Sequence, residues 1–404
     1  MKRNVIQKTI VCIFAWVSFA VLATHATAQD RPIKVFVLVG QSNMQGHAKT
    51  STLPHLKIDP TTRPILDEIL DQSGNPKPFK DVHISFQSND SKTGLMGLGF
   101  GADESKFGPE LTFAAYMKKH LGEPILIIKA AWGGKSLHTD FRPPSAGPYV
   151  FPQAVLDRLE KRGKDVAVAK AARVAATGVY YKKTIDHVQA VLSDIDSTVT
   201  GYDQKRGYEL AGLVWFQGWN DMVDQGVYPN RAKAGGYDDY TKVLRHLIRD
   251  FRKDLNAPKL PIVVGVMGVG GPTNNYGPDQ KRFKAMHQNF RDAMAAPAKE
   301  EEFKGNVFNV LTEDCWDIEL AALANRRDKL KGKFSKLRKA GTLSKEDSKK
   351  EFEEQYLKTF TEKEREALDV GVSNQAYHYL GSGKIMALIG KRFAEALHQQ
   401  DGKE

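Results

Sequence analysis

Gly40-Gln41-Ser42-Asn43-Met44 places a hydroxyl between two side-chain amides, at the point where an apolar run from Ile33 to Val39 breaks. A serine at the carboxyl end of a first parallel strand sits where open α/β sheets bind their ligands. It becomes a nucleophile when a base takes its proton. The G-x-S-x-G elbow is absent, because the position two after Ser42 is Met44. Near neutral pH that base is a histidine, and the candidates include His47, His83, His120, His138, His187, His246, His287 and His378. His378 stands apart, in the polar stretch Ser373–Gly381 just before the last helical pattern. Two further polar clusters follow apolar runs: Trp132-Gly133-Gly134-Lys135-Ser136, and Gln217-Gly218-Trp219-Asn220-Asp221. Paired glycines let the backbone approach a ligand and offer free N–H groups. Trp132 and Trp219, beside these clusters, are candidates to stack on the flat face of a ligand. No metal-ligand spacing and no Walker or dinucleotide fingerprint occurs, so the expected chemistry needs no cofactor.

The elements that must position these groups are strands. Ile33–Val39, Pro124–Ala130, Leu210–Phe216, Pro261–Val266 and Val307–Leu311 are apolar, and Val82–Phe86 alternates. Helical patterning separates them: Phe107-Gly108-Pro109-Glu110 opens one helix, and Tyr240, Val243, Leu244, Leu247, Ile248 and Phe251 line one face of another. Residues 154–195 are helical with a break near Gly178, whereas 94–101 is glycine-rich and expected to be loop. The alternation predicts a doubly wound parallel sheet of about five strands, with the three polar clusters on one edge.

Residues 1–28 combine Lys2, Arg3 and Lys8, an apolar stretch from Thr9 to Ala23, and the small-x-small site Ala26-Thr27-Ala28. They form a signal peptide, so the protein is expected to be exported, to the periplasm or beyond, with no stable membrane insertion after cleavage. Residues 29–404 then form one domain. Cys315 is its only cysteine, which excludes an internal disulfide. The formal charge is +11, of which the signal contributes +3, and 14 Lys/Arg against 9 Asp/Glu between Arg326 and Glu366 contribute +5. The basic balance is therefore local, and nucleic-acid binding is not expected. Residues 317–368 are Lys/Glu-rich and predict a solvent-facing αα-hairpin around Gly341. Its sharper alternative is a contact with a partner or an anionic glycan. The sequence sets no oligomeric state.

Gly40-Gln41-Ser42-Asn43-Met44 resembles the first block of the SGNH hydrolases, in the form used by sialate O-acetylesterase-like and carbohydrate esterase family 6 proteins. The Gly108-Pro109-Glu110 helix start and the late position of His378 resemble the same family. The resemblance implies a three-layer, flavodoxin-like α/β/α fold. It also implies an exported serine esterase that removes O-acetyl groups from acetylated sialic acid, xylan or related polysaccharide through an acetyl-serine. Ser42 is then nucleophile and His378 base. The oxyanion hole is formed by the N–H of Ser42 and of Gly133 or Gly134, with a side-chain amide from Asn220 or Gln217. Gln41 and Asn43 orient the loop or touch substrate. The family's Asp three residues before the histidine is Gln375 here, and its Gln-Gly-Glu-x-Asp block has Trp219 in the Glu position but keeps Asp221. Asp221 is the first candidate for the acid, Asp369 the second, and a Ser–His dyad the third. These departures motivate a rival reading, a degenerate carbohydrate-binding protein on the same fold.

Overall fold

The first apolar run forms β1 (Ile33–Gly40), buried at every residue except Lys34. It is the central strand of a seven-stranded sheet in the computed structural model, which describes residues 31–401. The expected signal segment, 1–28, lies outside the described residues. The other strands are β2 (Val82–Gln87), β3 (Ser91–Leu95), β4 (Ile125–Ala131), β5 (Tyr208–Phe216), β6 (Ile262–Val266) and β7 (Val307–Leu311). Their order across the sheet is β3-β2-β4-β1-β5-β6-β7. All adjacent pairs are parallel except β2–β3, which is an antiparallel hairpin. Six parallel strands and one antiparallel edge strand thus replace the expected five. The strand β3 (Ser-Lys-Thr-Gly-Leu) is mostly exposed and carries no apolar alternation; pairing with β2, not its composition, makes it a strand.

The five strands β4-β1-β5-β6-β7 follow the flavodoxin-like order 2-1-3-4-5, and β2–β3 extends one edge. Helices cover both faces. On β5, Phe216 meets Phe393 of the last helix, α8 (Gly383–Asp401), at 5.3 Å, while its neighbour Trp215 meets Phe251 at 6.4 Å. Successive strand residues point to opposite faces, so these contacts define two layers. The α8 layer also holds α1 (Glu110–Leu121), whose Phe113 meets Phe36. The other holds α2 (Val179–Ser193), α3 (Asp238–Asp254) and α4 (Lys284–Ala295). The helical patterning of 154–195 breaks twice, at Gly178 and again at 162–165, where Asp165 caps Val166–Ala176.

Beyond β7 the chain forms α5 (Ile318–Lys339), a turn with Gly341 at φ +72°, and α6 (Lys345–Thr359). The few aromatics of this stretch, Phe334, Phe352, Tyr356 and Phe360, form its own ladder of ring contacts. Lys384 of α8 ties its base down through Asp317 and Asp59, each at 3.0 Å. A third helix, α7 (Glu362–Gly371), follows behind a capping box of Thr361 and Glu364. Among the described residues no helix is long and apolar enough to cross a membrane.

Candidate active site

Register sets the level of the site. Gly40, the last residue of β1, pairs with Ala131 of β4 and with Phe216 of β5. The Ser42 turn, the Trp132-Gly133 turn and the Gln217–Asp221 segment therefore leave the sheet side by side. Gly40 is required there, because a Cβ would strike the Phe216 carbonyl oxygen. Ser42 opens a one-turn helix, Ser42–Gln45, and its hydroxyl has no hydrogen-bond partner among the described residues. A Cβ on Gly133 would lie 3.8 Å from Ser42 Cβ, so the Gly133 backbone passes directly beside the serine.

A buried ion pair holds this turn from below. Lys129 and Glu110 are both fully buried, 2.8 Å apart. The Lys129 ammonium also donates to the carbonyls of Gln45 (3.0 Å) and Phe100 (2.7 Å) and lies 4.3 Å from the Phe86 ring centre. The second carboxylate oxygen of Glu110 accepts from the Gly108 N–H at 2.8 Å. Glu110, expected at its helix start for the dipole, is thus a buried counter-ion. Lys129 was not foreseen; a single lysine inside an otherwise apolar strand was the available signal.

The third cluster is built around Asp221. Its fully buried carboxylate accepts from the N–H of Leu137 (2.8 Å) and His138 (3.0 Å), from the Gln217 amide (2.6 Å) and from the Tyr228 hydroxyl (3.3 Å). Burial pushes its carboxyl upward, opposed by His138 and by these donors. None of the partners is His378, so Asp221 clamps two site loops together and does not orient that imidazole. Asp369 is exposed on α7 and makes no hydrogen bond to the histidine. Gln217 donates to Gln41, to the Lys135 carbonyl and to Asp221, which removes it as an oxyanion donor. The half-buried Asn220 side chain has no hydrogen-bond partner among the described residues. Gln41 is buried, with its carbonyl oxygen accepting from Gln217 and from the N–H of Gly218 and Asn220. Gln41 therefore orients the loops and does not face substrate.

The remaining corner comes from the end of the chain. Asn43 is buried and donates to the Tyr377 carbonyl at 3.2 Å, an orienting contact that docks the Ser373–Gly381 loop on the serine turn. His378 Nδ1 lies 3.1 Å from Asn374 Oδ1. The Gln375 N–H donates to that same oxygen at 2.8 Å, which fixes it as an acceptor. Nδ1 therefore carries the proton and Nε2 the lone pair. Burial, aided by His47 and Lys106, lowers the His378 pKa to about 4, so the ring is neutral at neutral pH. Asn374, one residue before the position where an Asp was sought, is the residue that sequence reasoning missed. Gln375 itself points outward, exposed. Tyr379 and Leu380 then follow at φ 50° and 62°, and Gly381 at 58°. Non-glycine residues in this region cost about 1–2 kcal/mol each, and the anchors are specific. The Tyr379 hydroxyl accepts from the Gly268 N–H (2.9 Å) and contacts Thr312 Oγ1 (2.6 Å), while the Leu380 carbonyl accepts from Ser373 and Asn374.

Of the two candidate tryptophans, Trp132 is buried edge-on against Tyr180 and presents no face to a sugar. Trp219 is half-buried and lies 5.7 Å from the ring of Tyr377, itself 40% exposed. Gly134, at φ +75°, faces open space, whereas Gly133 is the glycine against Ser42.

A family model described as "Carbohydrate esterase, sialic acid-specific acetylesterase" matches residues 32–306. That span contains Ser42, Gly133 and Asn220; His378 lies beyond it. No curated protein matches the chain significantly. Among solved structures, an Arabidopsis thaliana protein is 20% identical, with a TM-score of 0.38 over 70% of this chain and 86% of that one. A carbohydrate acetylesterase from Xanthomonas citri is 12% identical, with a TM-score of 0.39 over 70% of this chain and 51% of that one.

Proposed function

The chain belongs to the sialic acid-specific acetylesterase family of carbohydrate esterases and is a carboxylic ester hydrolase acting on O-acetylated carbohydrate; we propose that Ser42 and His378 perform the hydrolysis through an acetyl-serine. The observation that carries this reading is the convergence of four chain segments: three strand ends in register, and a late loop docked on them through Asn43. The lone pair on His378 Nε2 takes the Ser42 proton as Oγ attacks the acetyl carbonyl. The N–H groups of Ser42 and Gly133 and the Asn220 amide hold the oxyanion; each such donor is worth about 3 kcal/mol in the transition state. The sugar leaves as its hydroxyl, taking the proton from His378, and water then cleaves the acetyl-serine by the same steps. Asn374 keeps the His378 ring in the required tautomer. Trp219 and Tyr377 form the platform for the sugar, and acetylated sialic acid or acetylated xylan and related polysaccharides are its substrates. The basic and apolar start of the chain supports export of the enzyme.

The neutral Asn374 beside His378 favours the second reading, a binding protein with a degenerate triad. One experiment separates the two. The wild-type protein should hydrolyse p-nitrophenyl acetate, and Ser42→Ala should lower kcat by at least about a thousandfold. Equal rates for the two proteins, or no hydrolysis by either, would overturn the esterase mechanism.

A further inference from the structure

The imidazole of His47 lies flat on that of His378, with ring centres 4.1 Å apart and an interplanar angle of 5°. The geometry points to His47 as a positioning residue for the base, one that fixes the plane of the His378 ring; this rests on the assignment of His378 above.

The placement of His47 is rigid. It follows Gly46, whose N–H closes the Ser42 helix on the Ser42 carbonyl at 2.9 Å and whose carbonyl accepts from Ala102 at 2.8 Å. Gly46 packs backbone to backbone on Gly108 and leaves no room for a Cβ. The next residue, Ala48, pairs with Phe107 in a short antiparallel ribbon. The turn that ends the nucleophile's helix thus also sets the position of the His47 ring. Among the described residues neither His47 nitrogen has a hydrogen-bond partner. His47 is half-buried and its nitrogens are not sealed from solvent, so what it offers the protein side is the flat face of its ring against His378. His378 is otherwise held by one hydrogen bond at Nδ1 and by the Tyr377 ring at 4.5 Å and 67°. That bond alone leaves the imidazole free to rotate about the Nδ1–Asn374 direction. The stack removes this freedom and keeps Nε2 in one plane.

It also keeps water from one face of the base. Burial lowers both imidazoles to about 4. The charged groups facing the pair are Lys106, 2.6 Å from Asp103 on the neighbouring ribbon, and Lys129 with its partner Glu110 beneath the serine turn. The groups of the base's own loop, Asn374 and Tyr377, are neutral.

The test is kcat and KM for p-nitrophenyl acetate between pH 4 and 9, with thermal melts, for wild type, His47→Ala, His47→Phe and His378→Ala. With His47→Ala, kcat at pH 8 should fall about tenfold with KM nearly unchanged. The acidic limb of kcat/KM should also move up from near pH 4 toward the ordinary histidine value of about 6.5, because water reaches the exposed face. His47→Phe restores a flat ring and should recover kcat to within about threefold and keep the low acidic limb. A folded His47→Ala with wild-type kcat and an unmoved limb would overturn the inference, as would a folded His47→Phe as impaired as His47→Ala. An active His378→Ala would instead remove the catalytic assignment itself, which separates the two failures.

Discussion

The two halves of the site are held by different physics. The nucleophile side rests on charge: a fully buried Lys129–Glu110 pair ties together the Ser42 helix, the Phe100 loop and the start of α1. Among the described residues the His378 side contains no ion pair to the imidazole. Neutral hydrogen bonds, a stacked ring and a turn of consecutive left-handed residues hold it. A buried ion pair fixes geometry rigidly and fails badly when half of it is removed. A neutral turn fails by smaller steps. In the proposed mechanism the half held by charge contains the atom that forms the covalent bond, and the other half contains the group that only moves a proton.

The largest effect should come from breaking the pair. Lys129→Met leaves the Glu110 carboxylate buried without its counter-charge, and should cost about 3–5 kcal/mol of unfolding free energy in urea titrations. Lys129→Met combined with Glu110→Gln removes both charges and should recover more than half of that loss. A single variant within about 1 kcal/mol of wild type would mean that the pair is not what fixes the nucleophile side.

A smaller effect is expected on the base side. Thr312 Oγ1 donates to the Val266 carbonyl at 2.7 Å, so the Tyr379 hydroxyl must donate to Thr312 while accepting from Gly268. Tyr379→Phe leaves a buried N–H without a partner and releases the left-handed turn, at a cost of about 1–3 kcal/mol. Activity should fall more than stability alone explains, since the turn aims His378. Unchanged kcat in a destabilised variant would show that the turn matters only for folding.

Much of this arrangement was legible in the sequence. The apolar runs located the parallel strands, and each of three polar clusters followed one of them, so the shared edge could be inferred without coordinates. What stayed hidden has local reasons. The strand β3 lacks apolar periodicity, because an exposed edge strand buries nothing that would impose it. Trp132 and Trp219 look alike in sequence, and only packing against Tyr180 separates a core residue from a surface one. Asp221 kept its family position, but three of its four donors, Leu137, His138 and Tyr228, lie outside its own cluster and cannot be read from the spacing. Asn374 is hidden because the turn brings back the residue four before His378, whereas the family spacing points to the residue three before. The helix α7 was missed although Thr361-x-x-Glu364 announces its start.

The finest test of the contrast places a charge where the base side has none. Asn374→Asp puts a carboxylate 3.1 Å from the protonated Nδ1 of His378. An adjacent negative charge favours the imidazolium, so the folded-state pKa of His378 must rise from about 4. The catalytically competent form is the neutral ring, so the acidic limb of kcat/KM should move upward with it, to about pH 6 or above. Above that limb the carboxylate also stabilises the imidazolium that forms as Ser42 loses its proton, and kcat at pH 8 should rise about tenfold. In the unfolded chain His378 titrates near its ordinary value. Raising its folded pKa toward that value therefore reduces the loss of stability that the wild type suffers as pH falls from about 6.5 to 4. The variant should lose less in Tm over that interval than the wild type. A rise in the limb without a rise in kcat would show that the charge reaches the ring but the base side already stabilises the imidazolium by other means. If neither changed, Asn374 would be a neighbour of His378 and not its orienting partner.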